Sequence, residues 1–163
     1  MKTYYIILFF VAYMFRTSAQ TPDTARYIKT SSGYLMVLRQ GDDVFRQIEK
    51  MALTERIPSA NFTGMGFVNA RFGFFDFKTK QYNPKDFKAV EMASMTGSIA
   101  WDNGAPSLHV HGVVTDQSFK AWGGHLLSAI VSTGSLEINV IVHEQKLERK
   151  MEEQLGANVL QLQ

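Results

Sequence analysis

The sequence of 163 residues contains no cysteine, only four prolines and no low-complexity run. The absence of cysteine excludes disulfide frameworks, thiolate zinc fingers, iron–sulfur clusters, thiol nucleophiles and a lipid-modified N-terminal cysteine. The scarcity of proline leaves little room for a linker between domains. Hydrophobic residues make up 45% and charged residues 20% of the chain, which is the composition of one ordinary globular domain.

An apolar run near the N-terminus predicts a secretory signal peptide over residues 1–19. Lys2 supplies a positive start, the run extends from Thr3 to Phe15, and Thr17 and Ala19 are small residues at the positions that signal peptidase reads. The run is shorter than the roughly 20 apolar residues that a membrane-spanning helix requires, although an uncleaved membrane anchor is the alternative. We therefore expect a secreted or periplasmic protein that is cleaved near Ala19.

This leader carries the whole basic excess of the chain. The intact sequence has 17 Lys and Arg against 15 Asp and Glu. Lys2 and Arg16 lie in the leader, which contains no acidic residue, so the mature chain has 15 basic and 15 acidic residues. A chain without net charge has no general attraction for phosphate backbones or anionic lipid, so DNA binding would depend on local patches.

The mature chain predicts an α+β fold, in which a mainly antiparallel β-sheet packs with one main helix. Gly33–Arg39 has strand composition, and helical spacing starts at Val44, behind a capping aspartate, and ends before Pro58. From Phe62 to Val142, short runs of β-branched and aromatic residues alternate with turn residues, which is typical of antiparallel sheets. Hairpin turns are predicted at Lys78–Lys80 and Asp102–Gly104.

The two ends of the mature chain depart from the pattern of the domain at residues 33–143. Residues 20–32 are a polar N-terminal lead. The C-terminal segment at residues 144–163 is rich in Lys and Glu and has apolar residues four apart, with Gly156 as a fitting C-cap. This spacing predicts a helical tail that packs on the sheet or on a neighbouring subunit through Leu147, Met151 and Leu155.

Three of the four histidines lie within seventeen residues, namely His109, His111 and His125. His109 and His111 are two apart on a predicted strand, so both project from one face of it. A third imidazole from the neighbouring Gly-Gly segment would complete a three-histidine set for one divalent ion. Three nitrogen ligands leave one tetrahedral position open, as in catalytic rather than closed structural zinc sites.

Chemistry at such a site would also need a base, and the sequence offers Glu91, Asp116 and Glu144 without placing any of them. Glu91, Asp116 and Gly124 are the candidates for supporting the metal or contacting a ligand. No nucleophile elbow and no Ser/His/Asp order is present, so the sequence assigns no catalytic residue.

Structural explanations compete with each of these signals. The paired histidines could be surface or hydrogen-bonding residues, Trp122 could cover the sheet, and Gly123–Gly124 could make a bend. His143 ends a predicted strand and is interpreted as a solvated residue. Gly64–Gly66 resembles the start of a phosphate loop but lacks the following Lys-Ser/Thr, so a bend of the sheet is expected there.

Three motifs in chain order resemble the plants-and-prokaryotes-conserved (PPC) domain, which also occurs in AT-hook nuclear-localised proteins. They are Glu91–Gly97 (EMASMTG), Pro106–His111 (PSLHVH) and Gly123–Leu126 (GGHL). The resemblance covers about residues 33–143 and is closest to the stand-alone prokaryotic type. It is specific because the order and separation of the motifs are uncommon, although each motif alone is not.

The resemblance implies an α+β fold, assembly as a homotrimer, and a divalent metal such as zinc on His109, His111 and His125. In plants the domain follows AT-hook segments that bind A·T-rich DNA, which gave the family its DNA-binding label. The PPC domain itself chiefly mediates assembly and contacts with other proteins there.

Two departures argue against DNA binding by this chain. It has no Arg-Gly-Arg-Pro hook, and the plant segment Gly-Arg-Phe-Glu-Ile-Leu corresponds to Lys88–Ala93, which keeps only Glu91. We therefore favour an exported, trimeric metal-binding or assembly module over an enzyme. One alternative is a metal-dependent hydrolase that uses the open three-histidine site, and another is DNA binding through the local basic residues Arg71, Lys78, Lys80 and Lys88.

Overall fold

Long antiparallel strands dominate the structure, a computed structural model that describes residues 25–162. Over these residues the chain forms one sheet of eight strands and one helix. The elements are β1 (Tyr27–Lys29), β2 (Gly33–Arg39), α1 (Val44–Thr54), β3 (Ser59–Asp76), β4 (Gln81–Asp102), β5 (Ala105–Thr115), β6 (Ala121–His143), β7 (Glu148–Glu152) and β8 (Ala157–Gln161). The predicted α+β class, with a mainly antiparallel sheet and one main helix, is confirmed.

The four longest strands pair in a closed circuit. β3 pairs with β4 and β6, and β5 pairs with β4 and with the start of β6, all antiparallel. The ladders shift register at Gly64/Gly66 and at Met92/Ser94, so the strands bend without ending. The runs that the sequence pattern separates are therefore continuous strands, and the bend expected at Gly64–Gly66 is present.

Helix α1 covers the inner side of the sheet and packs against β5 and β6. The Asp43 side chain caps it by accepting a hydrogen bond from the backbone N–H of Arg46 at 3.1 Å. Its apolar stripe, Val44, Ile48, Met51 and Ala52, is fully buried. The histidines of β5 point to the opposite face, because Val110 between them is buried whereas His109 and His111 are exposed.

Both predicted hairpin turns are present. The turn before β4 spans residues 77–80, and β4 and β5 are joined by Asn103 and Gly104 alone. These two residues have φ values of 48° and 81°, as a two-residue hairpin loop of the right twist requires.

The predicted helical tail is wrong, because the segment forms the hairpin β7–β8. Residues four apart lie on one side of a strand as well as on one side of a helix, so the spacing of Leu147, Met151 and Leu155 fits both. Gly156, with φ of 68°, closes the hairpin turn rather than capping a helix. The buried residue of this segment is Arg149, at 5% exposure, whereas Met151 is 54% exposed.

The polar lead also contains structure that the sequence did not suggest, because β1 pairs with β2 from Tyr27 to Lys29. The predicted signal peptide at residues 1–19 lies outside the described residues. Within residues 25–162, no helix has the length and apolar character needed to cross a membrane.

Candidate metal centre

The register of β5 and β6 brings the three candidate histidines together. His111 of β5 is directly opposite His125 of β6, and His109 is two residues before His111 on the same face. The Nε2 atoms of His109 and His111 are 3.2 Å apart, and one ligand nitrogen from each of the three rings lies within 4.8 Å of the others. Among residues 25–162, this is the one group of three or more histidine or acidic side chains with that geometry.

The spacing of these nitrogens fits a single divalent ion. Zinc–nitrogen bonds of about 2.0–2.1 Å at tetrahedral angles place ligand nitrogens about 3.3 Å apart. The separation of the His109 and His111 nitrogens already has this value, and the 4.8 Å limit on the group requires only small side-chain adjustments for His125. The residues present therefore can hold a metal ion, and an all-imidazole set suits zinc, copper, iron or nickel.

Burial and mutual proximity keep two of the rings neutral. Burial, together with smaller contributions from the nearby His109 and His111, lowers the pKa of His125 to about 4. Burial also lowers the pKa of His109, with smaller contributions from His111 and Arg149. Because a metal binds the unprotonated imidazole, these rings are prepared for coordination at neutral pH.

Tyr82 of β4 supports the position of His125. The two rings are stacked, with centroids 4.9 Å apart and planes 19° apart. Gly73 makes this contact feasible, since a Cβ there would lie 2.8 Å from the Tyr82 ring. The sequence pattern does not reveal this role of Tyr82, because the contact depends on how β3 pairs with both β4 and β6.

A cavity of about 230 Å³ adjoins His111. Its walls include the side chains of Ser94 and Thr96, and the predicted residue Gly124 lies at its edge. Gly123 and Gly124 do not interrupt β6, and Gly123 lets β6 approach β5 closely, because a Cβ there would lie 2.5 Å from the backbone oxygen of Gly112. The metal group is therefore bordered by glycine backbone, two hydroxyl-bearing residues and the exposed Val113.

The acidic candidates do not join the histidine group. Glu91 is exposed on β4 opposite Thr115, four residues along β5 from His111. Asp116 holds the turn after β5, where its carboxylate accepts hydrogen bonds from the Ser118 hydroxyl and the Lys120 N–H. Glu144 lines a separate cavity of about 510 Å³ near Trp101. His143, half-buried at the end of β6, is likewise outside the group.

Arg149 is the second neighbour of the site that sequence analysis missed. Its guanidinium donates hydrogen bonds to the Ser98 Oγ and the Ser107 carbonyl oxygen, both at 2.7 Å. Ser98 is the cross-strand partner of His109. Because Arg149 of β7 is hydrogen-bonded to Ser98, its buried positive charge lies beside the histidines. The cost of that burial lowers the pKa of the guanidinium.

Fold and site together define a closed antiparallel β-protein with three clustered histidines, and comparisons place it in a family. Residues 26–144 match the model of the Plants and Prokaryotes Conserved (PCC) domain. The chain belongs to this family, as the sequence motifs indicated. No curated protein matches it significantly in sequence.

Solved structures share the fold over most of their length. The "putative DNA-binding protein" of Ralstonia eutropha JMP134 is 55% identical, with a TM-score of 0.82 over 85% of this chain and 96% of that one. A second "putative DNA binding protein", from Bacteroides thetaiotaomicron, is 28% identical, with a TM-score of 0.78 over 83% and 95%. A metal-containing protein of Archaeoglobus fulgidus is 27% identical, with a TM-score of 0.73 over 83% and 96%.

Proposed function

We propose that this chain is an exported, homotrimeric PPC-domain protein that binds one divalent metal ion, preferably zinc, on His109, His111 and His125. It would serve as a binding or assembly module. The observation that carries the proposal is the set of three ligand nitrogens within 4.8 Å on neighbouring strands. The metal-containing relative from Archaeoglobus fulgidus supports it.

Zinc titration of chelator-treated protein tests the metal site. We expect one zinc ion per chain in the wild type and none in the His109/His111/His125 triple-alanine variant. His143→Ala is the matched control, because it removes a histidine from the same strand but outside the group. Equal zinc uptake by the wild type and the triple variant would refute the assignment.

Assembly is supported by apolar side chains on the outer surface. Near the turn between β3 and β4, Phe74 is 80% exposed and Phe77 is 67% exposed. Exposed apolar surface of this kind marks protein–protein contacts when it is contiguous. Sedimentation equilibrium of the mature chain should give three times the monomer mass, and a monomer at micromolar concentration would contradict the proposal.

Export is supported by residues 1–19 alone. Mass spectrometry of the protein isolated from its native host should show a new N-terminus near Gln20. An intact Met1 in protein recovered from the cytoplasm would contradict export.

DNA binding is a second candidate because the 55%-identical relative bears that description. The structure gives it less support, since Arg71 pairs with Asp86 and the Lys80 Nζ donates to the Glu153 carbonyl oxygen. Affinity for duplex DNA that falls steeply with salt would support it. The absence of any gel shift at low salt would reject it.

A further inference from the structure

Arg149 is a buried cation for which the described chain provides no counter-charge. It is 5% exposed, and within residues 25–162 no carboxylate forms an ion pair with it. Its two hydrogen-bond acceptors are neutral, a serine hydroxyl and a backbone carbonyl, and they use two of its five N–H donors. A buried charge is costly unless an opposite charge approaches it, so this arrangement favours an anion nearby.

The charge of the histidine group adds to this imbalance. Three neutral imidazoles contribute no negative charge to a bound dication, and within residues 25–162 neither Asp nor Glu joins the group. Arg149 lies on the same side of the sheet, hydrogen-bonded to the residue that pairs with His109. A metal-loaded site would therefore carry a concentrated positive charge that no carboxylate of the described residues balances.

The cavity beside His111 provides room for a small outside ligand. Thr96 is directly opposite His111 on β4, and its side chain borders the same cavity as Ser94. Gly123 and Gly124 leave the backbone accessible at the cavity wall, which allows a ligand to approach closely. A volume of about 230 Å³ suits a molecule of a few heavy atoms rather than a polymer.

We propose that the three-histidine centre binds a small carboxylate as its outside ligand, with Arg149 providing the complementary charge. A carboxylate has two oxygens, so one can occupy the open metal position while the other accepts a hydrogen bond from Ser94 or Thr96, which border the cavity. Arg149 does not line this cavity and contributes through its positive charge on the His109 side of the group. This inference rests on the proposed metal binding and adds the chemical class of the ligand.

The first test uses the wild-type protein loaded with cobalt(II), whose visible spectrum reports its ligands. Acetate should change the spectrum in a saturable way, whereas acetamide, of nearly the same shape but uncharged, should not. A protein that takes up no cobalt overturns the metal proposal and this one with it. A cobalt-loaded protein that ignores acetate, or responds equally to acetamide, overturns this proposal alone. Tighter binding of inorganic phosphate than of acetate or oxalate would overturn the carboxylate assignment.

The second test assigns the charge to Arg149. Arg149→Gln should weaken acetate binding to the cobalt protein roughly threefold to tenfold, because it removes a nearby positive charge that solvent screens only in part. Lys150→Gln is the matched control, because Lys150 is the next residue of β7 and is exposed. Cobalt stoichiometry and thermal melting of each variant show whether the fold is retained. Unchanged acetate affinity in a folded Arg149→Gln protein would refute the role of Arg149.

Discussion

Removal of the Tyr82 ring should weaken metal binding while leaving the fold intact. The ring stacks on His125 with centroids 4.9 Å apart, and it is 42% exposed, so it contributes little to the core. An aromatic contact of this kind is worth about 0.5–1.5 kcal/mol, which corresponds to roughly a twofold to tenfold change in an equilibrium constant. Tyr82→Ala should therefore raise the zinc Kd by that factor, because His125 loses the surface that fixes its orientation.

Competition with a chromophoric chelator measures this effect. Tyr82→Phe retains the ring and should bind zinc as the wild type does. Phe119→Ala is a control for loss of an exposed aromatic residue, because Phe119 is 88% exposed in the loop between β5 and β6. The reasoning is refuted if Tyr82→Ala binds zinc with unchanged affinity, or if Tyr82→Phe is impaired as strongly as Tyr82→Ala.

Three further outcomes are expected. Gly123→Ala should lower the free energy of unfolding by about 1–3 kcal/mol and weaken zinc binding. The added Cβ would lie 2.5 Å from the Gly112 backbone oxygen, where β5 pairs with β6. Unchanged thermal melting and an unchanged zinc titration would contradict this. The metal-free protein should lose stability as the pH falls from about 6.5 towards 4, since an unfolded His125 takes up a proton in this range and the folded one, with its pKa of about 4, does not. After allowance for solvent screening, the loss in the free energy of unfolding is about 1–2 kcal/mol. Denaturant titrations should show a smaller loss in His125→Asn. An identical pH dependence in the two proteins would exclude His125 as its source. Asp43→Ala should lower the free energy of unfolding by about 1 kcal/mol, because the Arg46 N–H loses its capping acceptor. Zinc affinity should not change. A changed zinc affinity would show that α1 influences the site.

The sequence predicted those parts of the fold that local periodicity determines. Alternation and turn residues identified the antiparallel sheet and the Asp102–Gly104 hairpin, and the helical spacing from Val44 located α1. The C-terminal segment was assigned wrongly because a spacing of four residues satisfies both a helix and a strand. The full extent of β4 was not predicted, because Asn83 and Pro84 have turn character in the sequence, yet both lie in the strand and are paired with β3.

The candidate site likewise contains residues whose positions follow from local alternation and residues whose positions depend on strand pairing. His109 and His111 share a face because a strand alternates, so their proximity follows from sequence alone. The place of His125 depends on the pairing of β5 with β6, and that of Tyr82 on the pairing of β3 with β4. Arg149 reaches the site from a segment 38 residues beyond His111 in the chain. Contacts between distant segments are set by global packing, which a local pattern does not encode.

Elemental analysis of the untagged mature protein, purified without added metal, tests the central claim most directly. The account predicts about one divalent ion per chain in the wild type and in His143→Ala, and none in the His109/His111/His125 triple-alanine variant. A wild-type protein without metal, or a triple variant that retains it, would contradict the account and leave the three histidines as residues of the sheet surface.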